Sequence, residues 1–341
     1  MKTITIVGGG NLGHVLIGFL GSRSDCRVRL LTSAVPLWSE SIEVTDGDRQ
    51  MTGSIEMVSD NAADVVPGSD YVLLCLPGYA IEEKLHQICR HIGKGCAVGS
   101  VVSNTGFFHN ALKAMPENVP LFGFQRVPFI ARIKEKGRSA SIMGHKKQLF
   151  LAVERSQNAE AIRADWEDLL QTSVSLLQNY YEAALSNSNP ILHPARLYEL
   201  WHDWTPGKVY PRVPMFYEEW GDEASRRYVA MDKELQQILR KRNVSAEAVP
   251  DVLTYYECNT PEELTRKIRS IEAFKGIAAP MRETSGGYVP DLMSRYFLED
   301  FDCGLKGIIL ATPHGISTPV IDETMNWGKK MLGFIRDIEK K

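Results

Sequence analysis

A chain of 341 residues, 44% hydrophobic and 24% charged, is long enough for two domains with sizeable cores. Its formal charge of −3 argues against a nucleic-acid binder or a polybasic membrane protein, and no apolar run approaches bilayer-spanning length. Six cysteines (Cys26, Cys75, Cys89, Cys96, Cys258, Cys303) without C-x-x-C pairing, and an opening with no signal peptide, lead us to expect a cytoplasmic protein with no metal site and no disulfide framework.

The chain opens on the stretch around which the rest is organised. Thr3 to Val7 has the pattern of a buried strand, Gly8, Gly10 and Gly13 fall in G-x-G-x-x-G spacing, and Leu12, Val15, Leu16, Phe19 and Leu20 recur with helical period. A second apolar run, Val28 to Leu31, follows. This order of strand, turn, helix and strand gives each glycine a physical task. Gly8 makes the turn, Gly10 lets a pyrophosphate approach the backbone, and Gly13 lets helix pack on strand. Asn11 and Leu12 then open the helix, whose N–H groups and positive dipole end suit phosphate. Where an NAD site usually carries an acidic residue, the sequence reads Thr32-Ser33. Two hydroxyls and no carboxylate lean to NADP over NAD, although no arginine follows directly and Arg29 lies inside the strand.

From Thr32 to Met51 we expect a polar, variable connection, then a short strand over 55–58 and a brief helix over 61–68. Tyr71 to Leu76 is a continuous apolar run, the mark of a parallel strand buried on both faces. It ends at Pro77-Gly78-Tyr79, and the strand over Ala97 to Val102 ends at Ser103-Asn104-Thr105-Gly106. Pro77 and Asn104 thus join the expected cofactor contacts, because ligands sit at the carboxyl ends of such strands. A helix over Ile81–Ile92 separates the two runs.

Residues 119–132 read as a strand followed by an irregular loop, in which Arg126 is a candidate carboxylate clamp by virtue of its planar fork. Residues 139–144 and 148–153 read as the last strands, followed by a helix over Ala159–Leu170 and a strand over Val174–Leu177 that completes the sheet. The pattern changes at about Gln178, and helices take over. The expected fold class is α/β: a Rossmann-type doubly wound sheet over residues 1–178, then an all-helical domain over 179–341.

Tyr180 to Trp201 reads as one long helix interrupted by Pro190 and Pro194, each of which removes a backbone bond. Asn189 and His193 are four apart and share a face, so His193 is a candidate general acid/base. Residues 202–219, rich in Trp, Tyr and Pro, read as a loop or lid. Helices follow over 224–242, 250–258 and 261–271, the last capped by Thr260. Residues 280–290 read as a loop, Arg295 to Asp300 as a segment ended by Gly304, and Pro319 to Glu339 as the final helix.

The chain resembles the octopine/nopaline-type opine dehydrogenases, including the carboxyethyl-norvaline dehydrogenase type. The resemblance rests on Ser188-Asn189-Pro190-Ile191-Leu192-His193-Pro194, on Phe274 to Pro280 (FKGIAAP), on Arg295 to Leu305 (RYFLEDFDCGL) and on Thr318 to Asp322 (TPVID). It spans nearly the whole chain. It implies that an amino acid and a 2-oxo acid condense to an imine, which a nicotinamide hydride reduces to a secondary amine. It further implies that His193 is the acid/base, Asp300 its partner and Arg295 the holder of a substrate carboxylate, with Asn189 beside them. In a regular helix Arg295 and Asp300 point about 140° apart, so both serve one site only if the helix begins or breaks between them. The expected partners are these small molecules, with no nucleic acid, no membrane and a homodimer left open.

Two other readings compete: a ketopantoate-reductase-like enzyme acting on a keto acid alone, and a non-catalytic dinucleotide sensor. The segments 32–60, 118–145 and 202–222, and the insert Arg282 to Pro290, depart from the family pattern and are expected to shape the substrate pocket. Asp203, Glu218, Glu219 and Asp222 raise the expectation of a basic amino acid as the amino partner.

Overall fold

The computed structural model describes residues 1–104 and 106–338; Thr105, expected in a cofactor loop, and Glu339, expected to end the last helix, lie outside the described residues. The chain forms two compact units, Met1–Ala184 and Leu185–Lys341.

In the first unit the strands are β1 (Lys2–Val7), β2 (Cys26–Leu31), β3 (Ser41–Asp46), β4 (Arg49–Ser54), β5 (Met57–Ser59), β6 (Tyr71–Leu74), β7 (Ala97–Ser100), β8 (Leu121–Phe124), β9 (Phe129–Glu135), β10 (Ser139–His145), β11 (Gln148–Glu154) and β12 (Ser173–Leu176). The helices are α1 (Asn11–Gly21), α2 (Ala62–Val65), α3 (Gly78–Ile88), α4 (Phe107–Ala114), α5 (Ala159–Leu170) and α6 (Tyr180–Ala184). The main sheet runs β12-β11-β8-β7-β6-β1-β2-β5, and only β11 and β12 run against the other strands. Its segment β5-β2-β1-β6-β7-β8 is the strand order of a doubly wound dinucleotide fold, with the order reversing between β1 and β6. Tyr71 to Leu74 is buried throughout because β1 and β7 flank it and side chains cover both faces.

The stretch expected as a polar connection holds most of a second sheet's hairpin. Ile42 and Val44 point inward with period two, and Gly47, at φ +57°, makes the turn from β3 to β4. These strands join β9 and β10 in the order β4-β3-β10-β9, so the loop expected after β8 is largely strand, and β10 belongs to this smaller sheet. Ile4 and Ile6 of the main sheet share a core with Ile42 and Val44 of the smaller one, and α1, buried from Gly13 to Gly18, contributes Val15, Leu16 and Ile17 to it. The first helix is thus held from two sides.

The second unit comprises α7 (Asn189–Trp201), α8 (Asp222–Lys241), α9 (Val252–Tyr255), α10 (Pro261–Ser270), β13 (Met281–Thr284), β14 (Gly287–Pro290), α11 (Arg295–Leu298), a π-helical segment (Asp300–Leu305), α12 (Lys306–Ala311) and α13 (Pro319–Ile338). The expected long helix is two helices. Pro190 stands in the first turn of α7, where its missing N–H costs nothing, and only Pro194 is interior. The unit is not all-helical: the expected loop at 280–290 is the antiparallel hairpin β13–β14. The aromatic-rich segment after α7 is tied to later stretches of the chain at two points. Tyr210 and Tyr288 exchange backbone bonds at 2.8 Å, and Phe216 N–H donates to Ile277 O at 2.7 Å. Glu234 of α8 accepts from the N–H groups of Val320 and Ile321, both at 2.9 Å, which caps the start of α13.

Candidate active site

The glycine turn has the geometry its task requires. Gly8 sits at φ +107°, and a Cβ there would lie 2.7 Å from the Cys75 carbonyl oxygen. A Cβ on Gly13 would lie 2.2 Å from the Gly8 carbonyl oxygen, while one on Gly10 would meet nothing within 4 Å. The space over Gly10 is therefore open, and α1 begins there with no side-chain cap on its first N–H groups. His14, not singled out from the sequence, braces this turn. Burial lowers its pKa, and the neutral ring donates from Nδ1 to Gly10 O (3.0 Å) and accepts at Nε2 from the Gly137 N–H (2.7 Å).

The other expected cofactor residues take several roles. Asn11 accepts from the Ile133 N–H through Oδ1 at 2.8 Å, so its side chain ties the turn to β9. Leu12 packs against the core. Thr32 directly follows β2, its Oγ1 accepting from the Ala34 N–H at 3.3 Å, and Ser33 is exposed. Arg29 donates to Glu56 and to Pro67 O, which takes it away from any phosphate role. Pro77 precedes α3 at the end of the β6 strand and is exposed. Beyond β7, Ser103 Oγ and Asn104 Oδ1 are buried without a hydrogen-bond partner among the described residues. Orphaned polar atoms at the carboxyl end of a central strand, together with the open helix N-terminus, fit a bound dinucleotide.

In the second unit α7 carries His193 into a buried setting, 3% exposed. Its Nδ1 lies 2.7 Å from Asp300 Oδ2 and its Nε2 lies 2.9 Å from Tyr217 Oη. The carboxylate accepts, so Nδ1 carries the proton. The ring edge meets Tyr296 (centroids 4.7 Å apart, planes at 70°) and Phe216 (5.7 Å, 77°). The helix does break between Arg295 and Asp300, the condition for both to serve one site. After α11 the backbone widens to a π-turn, with the Gly304 N–H donating to Glu299 O five residues back at 2.7 Å. Asp300 is thereby buried toward His193. Arg295 stays exposed at the start of α11, its guanidinium 5.9 Å from the Tyr296 ring centroid.

Asn189 opens α7 one turn before His193, its N–H donating to Asn187 Oδ1 at 3.2 Å. Arg126, in the first unit, is exposed and donates to Gln125 O at 3.4 Å. The loop acids are engaged locally. Asp203 pairs with Lys208 at 2.8 Å, Glu219 pairs with Arg212 at 2.6 Å, Glu218 accepts from the Gly276 N–H, and Asp222 opens α8. Arg212 and the Met215 N–H hold the Glu219 carboxyl down at about 2. Tyr217 and Tyr296 were not read as site residues; the aromatic density of 202–219 was the only signal for Tyr217, and Tyr296 stands beside Arg295 in the RYFLEDFDCGL stretch.

A doubly wound unit with an open glycine turn and a helical unit bearing a buried imidazole–carboxylate pair define a nicotinamide-dependent dehydrogenase. Residues 176–332 match the family model of the NAD/NADP octopine/nopaline dehydrogenase alpha-helical domain. The chain is 27% identical to the tauropine dehydrogenase of Arabella iricolor, over 98% of its own length and 92% of that protein's. Its fold matches an octopine dehydrogenase solved with NADH and L-arginine at a TM-score of 0.84, covering 98% of this chain and 90% of that one at 23% identity. It also matches a yersinopine dehydrogenase with NADP+ bound at a TM-score of 0.72, covering 99% of this chain and 92% of that one at 14% identity. The chain is thus similar to the octopine/nopaline dehydrogenases, with the family's helical-domain model matched over residues 176–332, and its cofactor is a nicotinamide dinucleotide. No helix of the described residues is long and apolar enough to cross a membrane.

Proposed function

We propose that the protein joins the amino group of an amino acid to the carbonyl carbon of a 2-oxo acid and reduces the resulting imine to a secondary-amine dicarboxylate, reversibly. The observation that carries this reading is the buried His193–Asp300 pair within the region that matches the family's helical-domain model. A bound nicotinamide supplies the hydride. The first unit serves the dinucleotide through Gly8, Gly10, Gly13 and the N–H groups of Asn11 and Leu12, with Pro77 and Asn104 at the strand ends. Asp300 fixes the His193 tautomer and orientation, so that Nε2 is the position from which a proton is given or taken. Arg295 holds a substrate carboxylate in its planar fork, and Asn189 and Arg126 are further substrate contacts.

The hydroxyls of Thr32 and Ser33, with no carboxylate beside them, support NADP as the preferred cofactor. Asp203 and Glu219, neutralised by Lys208 and Arg212, lend no support to a basic amino partner, which leaves Glu218 and Asp222 as the loop acids without a cation among the described residues. The test is NAD(P)H absorbance with pyruvate, with and without a panel of amino acids. Oxidation that requires both substrates supports the reading. Oxidation with the keto acid alone overturns it in favour of a simple reductase, and tight cofactor binding without oxidation by any pair overturns it in favour of a sensor.

A further inference from the structure

The chemistry above leaves Tyr217 without a role, yet its hydroxyl lies 2.9 Å from His193 Nε2. Because the Nδ1–H is donated to Asp300, Nε2 is the only ring position from which a proton can pass to a substrate, and the phenol stands on it. The phenol is held firmly. Its ring stacks on Phe274 with centroids 4.2 Å apart and planes at 18°, and the residue is 5% exposed. Arg196, three residues after His193 on α7 and itself 3% exposed, donates from Nε to Phe216 O at 2.9 Å and from Nη2 to Met215 O at 3.3 Å. Glu199 holds that guanidinium in turn. One helix therefore fixes both the imidazole and the loop that presents the phenol to it. A ring packed in this way does not swing aside to admit a substrate atom. Burial, before any neighbouring charge, pushes the Tyr217 hydroxyl well above the usual phenol range, so it stays neutral at working pH. The Arg295 charge acts on the same hydroxyl in the opposite sense, which sets the phenol within the field of the cation proposed to hold substrate.

We propose that Tyr217 is a catalytic proton relay between His193 and the substrate nitrogen, an inference that rests on the reductive condensation proposed above. In the reductive direction the Tyr217 O–H bond breaks as its proton bonds to the imine nitrogen. The Nε2–H bond of the His193 imidazolium breaks in the same event, and that proton re-forms the phenol. The imidazole ends neutral with Nδ1–H still donated to Asp300, and the electron pair that reduces the carbon arrives as hydride. Oxidation runs the same transfers backwards.

The test compares wild type, Tyr217→Phe and His193→Ala in NAD(P)H oxidation with pyruvate and the amino-acid panel. NAD(P)H binding is measured by fluorescence, and wild-type rates are followed across H2O/D2O mixtures. Tyr217→Phe is expected to lose roughly 10²–10⁴-fold in kcat with cofactor affinity unchanged. The wild-type rate is expected to fall along a bowed curve with deuterium content, because two protons move together. If Tyr217→Phe keeps kcat within about threefold of wild type while His193→Ala is inactive, the relay is overturned and the reaction stands. No turnover by wild type with any pair overturns both. Should the phenylalanine variant misfold, the wild-type curve decides alone: bowed supports the relay, straight overturns it.

Discussion

Asp300, 107 residues downstream of His193, places its Oδ2 2.7 Å from the imidazole Nδ1. It does so from a π-turn, not from a regular helix. The wider turn changes which side chains share a face, so a carboxylate that α-helical spacing would aim elsewhere comes to the imidazole. On this geometry the pair acts as a unit, with the carboxylate setting the tautomer and the ring handling the proton.

His193→Ala should therefore lose roughly 10²–10⁴-fold in kcat, with NAD(P)H affinity nearly unchanged because the residue lies in the second unit. Asp300→Asn should also lower kcat and move the pH–rate profile, since an amide no longer presents a charge to the ring. Steady-state kinetics beside fluorescence titration of the cofactor checks both. A loss under about tenfold for His193→Ala would reduce the residue to a structural one.

The glycine turn predicts a contrast between two substitutions. Gly10 has extended backbone and open space at its Cβ, so Gly10→Val should fold with an unchanged Tm yet lose dinucleotide binding by filling the approach of the pyrophosphate. Gly13→Val would drive a Cβ into the Gly8 carbonyl and should lower Tm as well as binding. Full cofactor affinity in Gly10→Val would place the dinucleotide elsewhere.

Much of this was legible in the chain because it is local. Tyr71 to Leu74 announces a central strand by being apolar throughout, and the opening glycines fall where strand turns to helix. The smaller sheet was missed although Ile42 and Val44 alternate and Gly47-Asp48 is a two-residue hairpin turn, because polar residues on its exposed face masked the signal. The same holds for β13 and β14. The approach of Tyr217 to His193 could not be read at all. It depends on a loop fixed by Arg196 and by Ile277, contacts that no periodicity encodes. Nor does the sequence show that two of the loop acids, Asp203 and Glu219, are met by Lys208 and Arg212 a few residues away.

Arg295→Ala should raise the KM for the 2-oxo acid by roughly 10–100-fold, as expected for losing a hydrogen bond to a charged group. Cofactor affinity should not change. Arg295→Lys should recover only part of the loss, because an ammonium lacks the planar fork. An unchanged KM in both variants would remove Arg295 from substrate binding.

Asp232 supplies a stability prediction independent of the reaction. Burial raises its carboxyl from 3.8 to about 6, although the Val252 N–H donates to it at 2.9 Å. Since the folded value lies above the unfolded one, its stabilising contribution is complete below about pH 4 and is lost as pH rises through about 6. At about 1.4 kcal/mol for each tenfold change in acidity, the loss is roughly 3 kcal/mol. Asp232→Asn keeps an acceptor for Val252 but cannot titrate. The stability of wild type minus that of the variant, from urea melts, should therefore fall across this window, and a constant difference would contradict the assignment.

The most direct measurement of the central claim follows the hydride itself. The enzyme is supplied with NAD(P)H carrying deuterium at the transferred position of the nicotinamide C4, pyruvate and the amino acid that gives the fastest oxidation, and the products are analysed by mass spectrometry. The account predicts a secondary-amine dicarboxylate with one deuterium on the carbon that was the pyruvate carbonyl. Deuterium recovered instead in a 2-hydroxy acid, with the amino acid unchanged, would contradict it.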